Sequence, residues 1–149
     1  MRALIQRVNN ASVEIDKKII SEIEKGLLVF ICAMSGDKEQ DSEKMALKIA
    51  KMRIFSDENG KINKSILDID SAEILVVSQF TLSADTSRGN RPGFSSAATP
   101  EIGEGLYEKF VIDLQKLGIK CKKGVFGGDM QVSLINDGPT TIWIDSNSS

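Results

Sequence analysis

Seven consecutive apolar residues, Leu27-Leu28-Val29-Phe30-Ile31-Cys32-Ala33, follow Gly26. A strand turns successive side chains to opposite faces, so a run this uniform needs cover on both sides. That requirement rules out a simple open sheet with one wet face. A second run, Glu73-Ile74-Leu75-Val76-Val77, has the same character and ends in polar Ser78 and Gln79. Two central strands then need two layers over them, and the rest of the chain has to supply those layers.

Helical patterning supplies one layer. Met45, Ala46, Ile49, Ala50 and Met52 give residues up to Met52 one apolar face, at helical spacing. Asp37 with Gln40 resembles a capping box, and Asp41 is a second N-cap candidate. Further on, Thr99 and Pro100 form a helix start. Leu106, Phe110, Ile112 or Val111, Leu114 and Leu117 form its stripe, and Gly118 suits its C-terminal end.

The chain ends supply strands. Residues 2–8 and 11–16 read as strands joined by a turn at Asn9-Asn10, and Lys17-Lys18 turns the chain into a short strand at Ile19–Ile23. Arg53–Ser56 and Ile119–Lys123 add short strands, and Ser65-Ile66-Leu67 fits a helical turn. The expected fold is α/β: a single domain with mixed, largely antiparallel sheet layers and two main amphipathic helices. It spans 1–145, with Ser146-Asn147-Ser148-Ser149 as a frayed tail.

Composition then removes whole classes of function. The chain has 149 residues and no histidine. Ser-His-Asp and Cys-His nucleophilic sites are therefore excluded. Cys32 and Cys121 lack metal-ligand spacing, so neither a metal nor a cofactor is expected. No apolar run approaches the ~20 residues of a membrane span. The N-terminus is not a signal peptide, and a cytoplasmic location follows as the expectation. The net charge of −2 announces no nucleic-acid binder, so any such role needs a local basic patch.

Three stretches carry chemistry. Ser78-Gln79-Phe80-Thr81-Leu82 brings two hydroxyls and an amide to a strand end. It is either a strand running into a polar loop or a place that holds a carbonyl or an α-amino group. A long unpatterned loop follows at 83–98 and contains Arg88 and Arg91; loops of that length usually have a functional reason. Asn136-Asp137-Gly138-Pro139, between Met130–Ile135 and Thr140–Asp145, reads first as an ordinary hairpin turn. Glycine and proline can also present two carbonyls in a rigid, unusual geometry.

Taken together, Met1–Val8, Ser78-Gln79-Phe80-Thr81-Leu82, Gly124–Met130 and Asn136-Asp137-Gly138-Pro139-Thr140-Thr141 resemble D-aminoacyl-tRNA deacylases, the D-tyrosyl-tRNA deacylase family. The resemblance covers nearly the whole chain. It implies a homodimer with active sites at the subunit interface. The implied reaction is hydrolysis of the ester of D-aminoacyl-tRNA, and of glycyl-tRNA, with L-aminoacyl groups excluded. A cis Gly138-Pro139 bond would place carbonyls in the partner's pocket, where an L side chain would clash. Ser78, Gln79, Phe80 and Thr81 would be catalytic. Ala97, Met130, Asn136 and Thr140 would shape binding and selectivity. Thr140 stands where the family usually has a larger apolar residue, which bears on pocket polarity. Attack would come from water aided by the ribose 2′-OH, or from Thr81. Arg88, Arg91, Lys120, Lys122 and Lys123 are candidate contacts to tRNA phosphates. The competing readings are a non-catalytic tRNA- or protein-binding module on the same fold and an unrelated small esterase.

Overall fold

The computed structural model describes residues 1–148. Strands β1 (Arg2–Ile15), β2 (Lys18–Ile23) and β3 (Gly26–Cys32) lead into helix α1 (Glu39–Lys51). A small hairpin, β4 (Phe55–Ser56) with β5 (Ile62–Lys64), precedes β6 (Glu73–Ser78). Helix α2 (Pro100–Lys116), β7 (Lys120–Lys123) and β8 (Gln131–Asp145) complete the order. The main sheet runs β2-β1-β3-β6-β7, with β8 on β1. Strands β3, β6 and β7 are parallel to one another, and the pairs made by β1 are antiparallel. The sheet is thus mixed and largely antiparallel.

The uniform apolar run does sit at the centre. Leu27, Val29 and Ile31 face α1 and α2 in one core, together with Met45, Ile49, Phe110 and Leu114. Leu28 faces a second core with Leu75, Val77, Val8, Ala11 and Val13. Cover on that second face comes from the sheet itself. The far half of β1 curls over with β2 and β8. Ser21 Oγ donates to the Lys123 carbonyl at 2.6 Å, and Lys122 Nζ donates to the Glu22 carbonyl at 2.7 Å. The two ends of the sheet therefore meet, as in a barrel. Gly26 permits the tight crossing: a Cβ there would lie 1.8 Å from the Glu73 carbonyl oxygen.

Several local expectations are corrected. No turn forms at Asn9-Asn10: β1 continues through both, and its pairing with β8 shifts between Val8 and Asn10, which makes Asn9 a bulge. The first turn is Asp16-Lys17, with φ of 50° and 62°, because two positive φ values match the twist of a tight hairpin. The expected hairpin at Asn136–Pro139 is also absent. Both halves of β8 pair with β1: Ile142–Asp145 lies against 2–5, and Gln131–Ile135 against 10–14. Val8 faces Asn136 and Gln6 faces Thr141, so residues 137–140 bulge out opposite Arg7 alone.

The start of α1 also differs. Lys38 occupies the cap position and Asp41 accepts its backbone N–H at 2.8 Å. Asp37 instead accepts the Met34 N–H at 2.6 Å and pairs with the Met1 amine at 2.9 Å. The end of α2 matches its pattern, with Gly118 at φ +86° just past the helix. Ser146–Ser148 form a 3-10 turn whose first N–H donates to the Met1 carbonyl at 2.9 Å. Ser149 of the expected tail lies outside the described residues.

Candidate active site

The parallel register places Ser78 beside Ile31 at the C-terminal end of β6. The next N–H, of Gln79, still donates to the Ile31 carbonyl at 2.9 Å. The chain then tightens into a 3-10 turn, Phe80–Ser83. The opening N–H groups of such a turn, those of Phe80 and Thr81, have no acceptor inside it. The turn is held from below. Arg2 Nη1 donates to the Leu82 carbonyl at 2.9 Å, Ser83 Oγ to the Phe80 carbonyl at 2.7 Å, and Ser96 Oγ to the Ser83 carbonyl at 3.0 Å. Cys32 Sγ sits 3.6 Å from the Phe80 carbonyl, and burial pushes its thiol pKa up. Gln79 Nε2 donates to Thr81 Oγ1 at 2.5 Å.

Above this turn lies a cavity of about 720 Å³. Ser78, Gln79, Phe80, Ala97 and Met130 all line it, joined by Phe94, the start of α2 and the turn at 126–129. Thr81 is exposed and does not line it. The long loop explains two of these walls. Asp85 and Gly93 exchange backbone hydrogen bonds at 2.8 and 2.9 Å, so 85–93 forms a tip. The segment after the tip returns along residues 33–35, just past the end of β3, where Ala98 N–H donates to the Ala33 carbonyl at 2.9 Å. That return brings Phe94 edge-on to Phe80, with ring centroids 5.2 Å apart. Such a pair offers a flat aromatic edge to a planar group.

Met130 is placed by a missing side chain. A Cβ on buried Gly124 would come within 2.6 Å of Met130 Sδ. Gly124 is itself fixed, since its N–H donates to the Val76 carbonyl at 2.9 Å. The Tyr107 hydroxyl donates to the same carbonyl at 2.9 Å, and burial raises its pKa.

The remaining selectivity candidates lie elsewhere. Asn136, Gly138, Pro139 and Thr140 belong to the bulge of β8 and do not line the cavity of their own chain. The Gly138-Pro139 peptide is cis, and Gly138 has φ +119°. A Cβ on Gly138 would lie 2.9 Å from Arg7 Nη2 and from Thr140 Oγ1. Asn136 braces the bulge: its Oδ1 accepts the Thr140 N–H at 3.0 Å and its Nδ2 donates to Thr141 Oγ1 at 2.8 Å. Beneath it, Arg7 Nε lies 3.0 Å from Asp137 Oδ2, and Arg7 Nη1 donates to the Ile54 carbonyl. The candidate residues thus form two groups, a cavity and a braced, exposed bulge.

Comparison with known proteins supplies the family. The family model described as D-Tyr-tRNA(Tyr) deacylase matches residues 4–145. A D-aminoacyl-tRNA deacylase of Jannaschia sp. (strain CCS1) is 57% identical over 99% of this chain and 100% of its own length. The D-aminoacyl-tRNA deacylase of Paracoccus denitrificans (strain Pd 1222) is 58% identical over 98% and 97%. The chain belongs to the D-Tyr-tRNA(Tyr) deacylase family. The solved structure of a c-Myc DNA Unwinding Element Binding Protein superposes with a TM-score of 0.91 at 41% identity, covering 97% of this chain and 98% of that one. Another, of a probable eukaryotic D-amino acid tRNA deacylase, shares the fold with a TM-score of 0.84 at 16% identity, over 96% and 97%.

The basic candidates of this deacylase-family chain divide by their partners. Lys123 Nζ contacts both Glu108 carboxylate oxygens at 2.6 Å, and Lys122 is tied to the Glu22 carbonyl. Arg88 and Arg91 are exposed on the 85–93 tip, and Lys120 is exposed on β7. Two residues of this family member carry more than its sequence suggested. Arg7 shares the inward parity of Ala3 and Ile5 on β1, yet is charged and only 8% exposed. An inward-facing charge on a core strand was the available signal. Phe94 gave no such signal, because it reaches the cavity only through the fold of the long loop.

Proposed function

We propose that this protein hydrolyses the ester between a D-amino acid and the 3′ adenosine of tRNA, and that it also clears glycine. The observation that carries this reading is the cavity of about 720 Å³, with Ser78, Gln79 and Phe80 as its floor and the Phe80–Phe94 pair at its edge. The aromatic pair suits the adenine, and the N–H groups of Phe80 and Thr81 suit an ester carbonyl as negative charge develops on its oxygen. Family membership supports the same substrate.

Attack is assigned to water assisted by the ribose 2′-OH of the substrate. The chain has no histidine, and Thr81 Oγ1 already accepts a hydrogen bond from Gln79. That bond offers the hydroxyl no base to take its proton. Selectivity is assigned to a second copy of the chain, whose Gly138 and Pro139 carbonyls enter this cavity and fill the space of an L side chain. Two features support that arrangement. Both residues are exposed and outside their own cavity. Strand β8 pairs with β1 alone among the described residues, and it carries Ile135 and Trp143 at 54% and 49% exposure. An unpaired edge with apolar side chains calls for cover.

The test is release of amino acid from D-, L- and glycyl-tRNA by purified protein. Release from D- and glycyl- but not L-aminoacyl-tRNA is expected; equal rates on D and L would sink the filter. Activity surviving on tRNA that ends in 2′-deoxyadenosine would remove the 2′-OH from the mechanism. A complete loss in Thr81→Ala would favour that hydroxyl as nucleophile. A second reading, binding without catalysis, has support in the structural neighbour at 41% identity, which is named for binding a DNA element. Tight tRNA binding with no deacylation would support it.

A further inference from the structure

We infer that Ser83 is a positioning residue for the reaction: by holding the Phe80 carbonyl, its hydroxyl aims the Thr81 N–H at the ester oxygen. The inference rests on the deacylase reading and deepens it, by naming the side chain that orients the donor. Ser83 is 1% exposed, and its Oγ donates to the Phe80 carbonyl at 2.7 Å. A hydroxyl is costly to bury unless it is hydrogen-bonded. Alanine would fill nearly the same space without that cost, so packing alone does not call for serine here.

The bond acts through one rigid unit. The Phe80 carbonyl and the Thr81 N–H belong to the same peptide, which is trans and planar, so the two point in opposite directions. Fixing the carbonyl therefore fixes the N–H, on the side of the turn away from the Ser83 hydroxyl. A hydrogen bond accepted by the carbonyl also polarises the peptide and makes its N–H a stronger donor.

Ser83 is itself held. Its carbonyl accepts Ser96 Oγ at 3.0 Å, and the next N–H, of Ala84, donates to the Thr81 carbonyl at 3.1 Å. Cys32 Sγ approaches the same Phe80 carbonyl at 3.6 Å, and burial keeps it a thiol, so it adds a second, weaker donor. The neighbouring peptide is held differently: the Gln79 carbonyl, which shares a peptide with the Phe80 N–H, accepts the Leu82 N–H at 3.2 Å. A backbone bond thus acts on the Phe80 N–H, and a side-chain bond on the Thr81 N–H. The side-chain bond can be removed by substitution without touching the residues that line the cavity.

The experiment measures kcat and KM for release of a D-amino acid from tRNA by wild type, Ser83→Ala and Ser83→Cys, well below each melting temperature. The Thr81 amide resonance is followed in the same proteins labelled with 15N. Ser83→Ala is expected to lower kcat about tenfold and to leave KM within about twofold, because a misaimed donor costs less than a deleted one. Ser83→Cys keeps a weaker donor and is expected to fall between. The Thr81 amide resonance is expected to shift in Ser83→Ala, since the bond on its own peptide is gone. An unchanged kcat, a loss confined to KM, or a kcat loss with the Thr81 resonance unmoved overturns the inference while wild-type deacylation stands. A lower melting temperature with kcat intact overturns it as well, leaving Ser83 a stabilising residue. Should Ser83→Ala fail to fold, Ser83→Cys carries the same two comparisons. No release of amino acid by the wild type overturns the deacylase reading and this inference with it.

Discussion

Arg7 Nε lies 3.0 Å from Asp137 Oδ2, and this pair ties the one inward-facing charge of β1 to the bulge that carries Gly138 and Pro139. The guanidinium also donates to the Ile54 carbonyl, and only 10% of the side chain is exposed. Its removal would leave a buried carbonyl unpaired and the bulge without its support. Arg7→Ala is expected to cost about 2–3 kcal/mol, as for a lost hydrogen bond to a charged group. It should also admit L-aminoacyl-tRNA, because the bulge can then shift. Thermal melts and the D-to-L rate ratio check both parts. A lowered melting point with an intact ratio would leave Arg7 a stabilising residue only.

Much of the fold was legible because burial patterns repeat. The apolar runs at 27–33 and 73–77 could only be central strands, and the stripes of α1 and α2 could only be helices. The connections failed where one signal served two structures. Asn9-Asn10 has turn chemistry, and the chain uses it as a bulge. Asn136–Pro139 has hairpin chemistry, yet its flanks both pair with the same long β1. A partner strand distant in sequence, not local propensity, decided each case. The site shows the same division. Ser78, Gln79 and Phe80 end a strand that periodicity reveals. Phe94 and the bracing role of Arg7 depend on how distant segments return.

Gly124 offers a test of the cavity wall. A Cβ there would fall 2.6 Å from Met130 Sδ, closer than packed atoms allow. The methionine side chain is flexible, so Gly124→Ala should fold with Met130 displaced toward the cavity. The expected result is a size-dependent defect. KM should rise severalfold for bulky D-amino acids and change little for glycine. A uniform loss across all substrates would argue against Met130 as the wall that limits side-chain size.

The Arg2–Asp145 pair predicts a dependence on acid. Burial raises the Asp145 pKa, but the Asn147 N–H and Arg2 outweigh it, so the carboxyl sits below its ordinary value. A depressed folded-state pKa gives stability that is fully present above the unfolded value of about 3.9 and is lost as pH falls through the folded one. The pair is partly exposed, with 27% and 16% of the two side chains accessible, so its worth is about 1 kcal/mol. Asp145→Asn should therefore melt below wild type at pH 7, and the gap should begin to narrow as pH falls below about 4. Arg2 also holds the Leu82 carbonyl, so the variant should lose some kcat at neutral pH. A gap that does not narrow at all as pH falls below the unfolded value would assign the effect to packing rather than charge.

The basic residues predict a graded response to salt. Phosphate contacts release counterions, so each one lost should flatten the dependence of log K on log salt by about one unit or slightly less. Arg88→Ala, Arg91→Ala and Lys120→Ala are expected to weaken tRNA binding and to flatten that slope. Lys123→Ala should do neither, because Glu108 already holds its ammonium at 2.6 Å from both carboxylate oxygens. Binding of uncharged tRNA across a salt series separates these outcomes from catalysis. A steeper loss for Lys123→Ala than for Arg88→Ala would move the phosphate track from the 85–93 tip to the β7 edge. The tRNA arm would then approach across β2 and β7, not over the long loop.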